Sequence, residues 1–150
     1  MNFAASDLGA APLMLRTLLL VVLGLVGLAL ALTGHLGWRG KLKRNRFVGV
    51  RTAATLRDDD TFRLANQVAG VPNLVAGLIA VVSAVVSFFL PSSGGTITVA
   101  VLGAVGTVAV AIGGGLLGHR AAEAVPEPEA PKGCGGCACG AGGCGGLARA

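Results

Sequence analysis

The sequence predicts an all-α polytopic membrane protein with three transmembrane helices. Three observations predict it. No Asp, Glu, Lys or Arg occurs over residues 17–38 or 64–119. The longer of these stretches is interrupted by Pro91-Ser92-Ser93-Gly94-Gly95. Eight of the 12 basic residues fall in one connecting segment. Over the 150 residues, 53% are hydrophobic and 13% charged, whereas soluble domains carry about 25% charged residues. An uncharged apolar run of roughly 18 or more residues reads as a membrane span. The composition argues against a soluble enzyme, a nucleic-acid-binding domain and a secreted disulfide scaffold. The high isoelectric point is a topology signal, with no nucleic-acid partner expected.

Span one covers about residues 12–33, centred on Leu18 to Leu32. A cleaved signal peptide would carry a basic start and an apolar region of about 7–15 residues. Here Met1 to Leu15 has no basic residue and the apolar run is longer, so a retained span is expected. Span two covers about 71–90 and opens near Pro72, a residue suited to a helix's first turn because it needs no N–H there. Span three covers about 96–117. Without water to satisfy backbone polar groups, helices are the natural spanning form.

Arg39, Lys41, Lys43, Arg44, Arg46, Arg51, Arg57 and Arg63 lie between spans one and two, and no basic residue lies between spans two and three. The positive-inside rule then puts the first loop in the cytoplasm, the N-terminus outside and the C-terminal tail inside, in a bacterial plasma membrane. Arg16 is the basic residue on the other side and is expected to snorkel to the interface.

Gly24 and Gly27 in span one, and Gly103, Gly106, Gly113, Gly114 and Gly115 in span three, let helix backbones approach closely. They serve a compact three-helix bundle or a face for another membrane protein, and the sequence leaves both open. No charge lies mid-membrane, which argues against an ion or proton path. Asn73, the most polar residue inside a span, is expected to hydrogen-bond to a neighbouring helix.

Residues 34–70 form a loop with its own organisation. Trp38 suits an interfacial anchor, and the basic run from Arg39 to Arg46 suits an anionic leaflet. Thr55-Leu56-Arg57-Asp58 fits an [ST]-x-x-[DE] cap, predicting a short amphipathic cytoplasmic helix between spans one and two, either separate from span two or running into it, with Thr55 as N-cap. Asp58, Asp59 and Asp60 complement the dipole of its first turns. Consecutive helical positions diverge, so capping is expected of them ahead of metal binding.

Within this loop, Asn45-Arg46-Phe47-Val48-Gly49-Val50-Arg51-Thr52, followed by Thr55-Leu56, Phe62-Arg63 and Asn66, resembles the SdpI family of bacterial membrane proteins. The matching positions are Asn45, Gly49, Arg51, Thr52, Thr55 and Asn66. Ala53 stands where Pro is common in the family and Phe62 where Trp is common. The namesake, an immunity protein against a secreted toxin, is longer. The resemblance implies a non-enzymatic membrane protein serving immunity or stress protection. Gly49 would permit a turn or close approach, and Arg51 would clamp a helix C-terminus, a carboxylate or a lipid phosphate; the other reading, left equally open, is that these residues only fold the loop onto the bundle.

Residues 120–150 read as a Pro/Gly-rich cytoplasmic tail, separate from a membrane domain over 1–119. An extended Pro-rich linker leads to Cys134, Cys137, Cys139 and Cys144. The surrounding Gly and Ala cannot build a core, so disorder is expected. In a reducing compartment clustered cysteines read as metal ligands. Four thiolates suit zinc first, then another thiophilic metal, with idle thiols as the other reading. His35 and His119 sit far apart at span edges and form no catalytic constellation, so no enzyme is expected. The alternative to immunity is an accessory subunit of a larger inner-membrane assembly, for example respiratory, on the strength of small size, Gly-rich faces and tail cysteines. The Ala/Gly/Val/Leu/Arg bias points to a high-GC bacterium such as an actinobacterium.

Overall fold

The computed structural model describes residues 11–44 and 47–126. Its regular elements are three α-helices: α1 Leu13–Trp38, α2 Asp59–Phe89 and α3 Ser93–Glu123. All three are long and apolar enough to cross a membrane. At 1.5 Å per residue α1 extends about 39 Å and the other two about 47 Å, more than the ~30 Å hydrocarbon core. The excess over the expected spans lies mainly at one end of the bundle, where α1 ends, α2 starts and α3 ends. This is the end that carries the 39–58 loop.

Each helix boundary has a local cause. α1 stops at Trp38 because Gly40 adopts φ +64. Gly40 N–H then donates to Gly37 O at 2.8 Å and Lys41 N–H to Leu36 O at 3.0 Å, a Schellman pairing that satisfies the last carbonyls. Ser92 caps α3 by accepting Gly95 N–H at 3.2 Å. α2 begins behind Asp58, in extended conformation, whose Oδ1 accepts Thr61 N–H at 2.7 Å and whose Oδ2 accepts the Thr61 hydroxyl at 2.6 Å.

This corrects one sequence expectation and decides between the alternatives of another. The N-cap is Asp58 and not Thr55, because the Thr55 hydroxyl is engaged inside the loop. The amphipathic segment is no separate helix: it is the opening of α2, which continues through Pro72 to Phe89 without interruption. Pro72 therefore sits well inside the helix. The missing N–H is tolerated in a membrane helix, and its ring lies against α3 at Gly114, where an added Cβ would come within 2.7 Å of Pro72 Cβ.

The bundle is built around α2, which packs antiparallel to α1 on one flank and to α3 on another, while α1 and α3 barely touch. Backbone-to-backbone approach at glycine sets the register. A Cβ on Gly37 would meet Asn66 O at 2.7 Å, one on Gly34 would meet Gly70 O at 2.7 Å, and one on Gly27 would meet Gly77 O at 2.8 Å. On the other flank a Cβ on Gly118 would meet Ala65 O at 2.6 Å, and one on Gly103 would run into the Ser83 side chain. Membrane helices pack by this kind of close contact because lipid supplies no hydrophobic drive between them. The buried core is accordingly small: Ala65, Ala69, Ala76, Ala80 and Ala84 of α2 are fully enclosed, with Phe62 the largest buried side chain. Leu and Val point outward along all three helices. Most glycines thus serve the chain's own packing. Gly24, Gly113 and Gly115 meet nothing within 4 Å.

Arg16 does not simply snorkel. Its Nη2 donates to Pro91 O at 2.8 Å, tying the start of α1 to the α2–α3 turn at the end away from the loop.

Candidate functional site: a cleft at the loop end of the bundle

The 39–58 loop folds back across the ends of the helices, and a sequence of short-range bonds holds it there. Gly49 sits at φ +103, a conformation glycine alone adopts without strain. That turn brings Val50 N–H onto Asn66 Oδ1 at 2.7 Å. Asn66 is buried, and its Nδ2 donates to Phe62 O at 2.8 Å, so its amide is satisfied on both sides. A Cβ on Gly49 would run into Asn66 Oδ1. Thr55, fully buried, accepts Thr52 N–H at 2.8 Å and donates to Val50 O at 2.9 Å. Thr52 Oγ1 shares a hydrogen bond of 3.1 Å with His119 Nδ1 on α3. His119 Nε2 lies 3.4 Å from Glu123 one turn on.

Arginines fasten the rim. Arg44 pairs with Asp59 at 2.8 Å and donates to Leu56 O at 3.2 Å. Arg57 donates to Val125 O at 2.9 Å, just past α3. The Arg44 pair is exposed, and pairs of that kind stabilise weakly. The buried amide and hydroxyls hold the loop more firmly, since a buried unsatisfied donor costs about 1–3 kcal/mol. Hydrogen bonds from Thr61, with Arg57 beside it, hold the Asp58 carboxyl below the usual aspartate range. Asp58 caps, Asp59 faces Arg44 and Asp60 faces Arg63, so the three carboxylates diverge.

Because α1 and α3 stand apart on α2, a cleft of about 450 Å³ opens between them beneath the loop. Its upper rim is Gly49, Val50, Arg51 and Thr52, with Asn66 and His119 at the same level. Its walls are Leu30 and Thr33 of α1 and Ala111, Ile112 and Leu116 of α3, and its floor includes Gly70 and Asn73 of α2. Arg51 is exposed and makes no hydrogen bond or ion pair with the described residues. Asn73, half-buried, likewise makes none, so the helix-to-helix bond expected for it is not formed. Both are presented to the cleft.

Of the six motif positions, Gly49, Arg51, Thr52 and Asn66 line this cleft, and Thr55 braces it from behind. Asn45 lies outside the described residues. So do Cys134, Cys137, Cys139 and Cys144. Among the described residues no group of three or more His, Cys, Asp or Glu could hold a metal ion. Sequence reasoning missed three members: His119, Thr33 and Asn73, the last read as a helix-to-helix contact. His119 reads as an isolated interfacial histidine until the loop is folded onto α3. Thr33 has no distinguishing local pattern.

The family model described as the SdpI/YfhL protein family matches residues 41–114. Residues 41–114 belong to the SdpI/YfhL family. The matched region holds the loop, all of α2 and most of α3. It therefore supplies the rim and floor of the cleft, while the α1 wall, Leu116 and His119 lie outside it. Neither among curated proteins nor among solved structures is there a significant match to the chain.

Proposed function

We propose that this is a non-enzymatic SdpI-type protein of the bacterial plasma membrane that protects the cell against a membrane-active agent, as an immunity or stress-protection factor, and that the loop-end cleft is its working site. One observation carries the reading. Four of the six positions at which the loop resembles the SdpI family, Gly49, Arg51, Thr52 and Asn66, line the cleft, and Arg51 at its rim makes no bond with the described residues. A motif spent only on folding would turn all its polar groups inward, as Thr55 and Asn66 do. Arg51 and Asn73 are instead ligand-binding types facing open space, in a cleft with a few polar groups over apolar walls. The concentration of basic residues in the loop supports a cytoplasmic position for it.

The test is a deletion strain challenged with membrane-active peptides secreted by sister cells and with envelope-stress agents, scored by survival. Wild-type protein should restore resistance to the deletion strain. Arg51→Ala, present at the same membrane level, should not. Equal survival of deletion and parent strains across the panel would overturn the reading. For the C-terminal tail the proposal is a zinc site on its four cysteines, resting on donor chemistry. Metal content of the full chain and of a chain lacking 133–150 should then differ by about one equivalent.

A further inference from the structure

The geometry points to a specific ligand class for the cleft: the phosphate headgroup of an anionic lipid, bound by Arg51 with Asn73, its acyl chain lying along the apolar walls between α1 and α3.

The cleft has the polarity profile of an amphiphile. Its cation is at the top: Arg51 on the loop, level with Asn66 and His119 at the helix ends. The walls below it are apolar, formed by Leu30 on one side and Ala111, Ile112 and Leu116 on the other. From His119 down to Ala111 is eight residues of helix, about 12 Å, enough to take a headgroup and the start of an acyl chain. The side of the cleft is open to the bilayer because α1 and α3 barely touch. A lipid can therefore enter sideways without leaving the membrane.

The polar groups suit phosphate. A guanidinium offers a planar fork of donors matched to phosphate oxygens, and it is stronger there than an ammonium point charge. Arg51 has no carboxylate competing for it among the described residues, in contrast to Arg44, Arg57 and Arg63, which all face aspartates. The Asn73 amide, unpaired below the rim, can donate to a headgroup or ester oxygen. A small inorganic anion would use the rim and leave the apolar half of the cleft without a function.

This inference rests on the cleft being the working site, and its test is independent of protection. The full-length chain is purified in a neutral detergent and mixed with phosphatidylglycerol or phosphatidylcholine, and retained lipid is counted by native mass spectrometry. One phosphatidylglycerol should be retained in preference to phosphatidylcholine by about tenfold, the scale of a charge-assisted hydrogen bond pair. Arg51→Ala should remove that preference. Arg51→Lys should recover part of it, Asn73→Ala should weaken retention of both lipids, and Arg39→Ala, outside the cleft, should leave everything unchanged. Arg51 makes no bond with the described residues, so its variants should melt with the wild type. Millimolar inorganic phosphate should not displace the lipid.

Three results would overturn the inference: no lipid preference, equal losses in Arg51→Ala and Arg39→Ala, or full displacement by inorganic phosphate. The last would make the cleft a small-anion site, and the second would reduce the effect to general charge. Retention of the lipid by a chain that confers no protection would sink the proposed function and leave this inference standing. Protection without retention would do the reverse.

Discussion

Asn66 Oδ1 accepts the Val50 backbone N–H at 2.7 Å, joining the buried side of α2 to a loop position 16 residues earlier. With Nδ2 given to Phe62 O, one side chain fixes both the loop and the first turns of its own helix. Asn66→Leu keeps the branched outline of the side chain and removes both bonds. It should destabilise the folded chain by about 1–3 kcal/mol, the usual consequence of stranding a buried donor. Thermal melting in detergent reads the loss, and limited proteolysis should show new cuts within 47–57. An unchanged melt with a protected loop would contradict the role given to Asn66.

Gly49 is the backbone half of the same junction. At φ +103 an L side chain is strained, and its Cβ would also displace Asn66 Oδ1. Gly49→Ala should cost about 1–3 kcal/mol, and combined with Asn66→Leu the two losses should be less than additive, because both break one contact.

The glycines divide into two groups by what surrounds them. A Cβ on Gly70 would meet Gly34 O at 2.8 Å and the Trp38 backbone, so Gly70→Ala must push α1 away from α2, at a cost of about 1–3 kcal/mol. Gly113 meets nothing within 4 Å, and Gly113→Ala should be neutral or stabilising by up to about 1 kcal/mol through helix propensity. Comparing the melting of the two single variants checks the packing register. Equal effects would contradict it.

Asp58 gives α2 an acid-sensitive start. Its carboxyl titrates lower when folded than when unfolded, chiefly through the Thr61 hydroxyl and N–H bonds. Its contribution is therefore present above the ordinary aspartate range and is lost as pH falls through the lowered folded value. Hydrogen exchange at the first turn of α2 should rise as pH drops below that ordinary range, after correction for the intrinsic rate. Asp58→Asn keeps an N-cap acceptor and should flatten this dependence. Identical pH profiles for the two chains would rule Asp58 out as its source.

The spans were legible because charge is absent from residues 17–38 and 64–119 and the Pro91–Gly95 break falls between two of them. Their ends were not, because hydropathy fades in polar turns that are still helical. Thr55 and Asp58 are both capping types three residues apart, and only the folded loop reveals that the Thr55 hydroxyl is already engaged by Thr52 and Val50. The run Gly113-Gly114-Gly115 shows the same limit. Composition marks it as a packing site, but helical phase turns only Gly114 onto Pro72. Within the site, Gly49, Arg51, Thr52, Thr55 and Asn66 were recognisable through the resemblance to the SdpI family. Asn73 and His119 were not, because their role depends on the gap between α1 and α3, a property of three helices that no local pattern encodes.

The central claim is that the SdpI-type loop is docked on α3 as the rim of one cleft. The most direct measurement is cross-linking in native membranes between Thr52→Cys and His119→Cys, whose wild-type side chains meet at 3.1 Å, in a chain with Ser at the four tail cysteines. Docking through Asn66 and Thr55 survives these substitutions, so a short bifunctional thiol reagent should join the pair rapidly within one chain, and far faster than Thr52→Cys paired with Leu102→Cys. Failure of the 52–119 pair to join, or equal rates for the two pairs, would contradict a docked loop and with it the cleft.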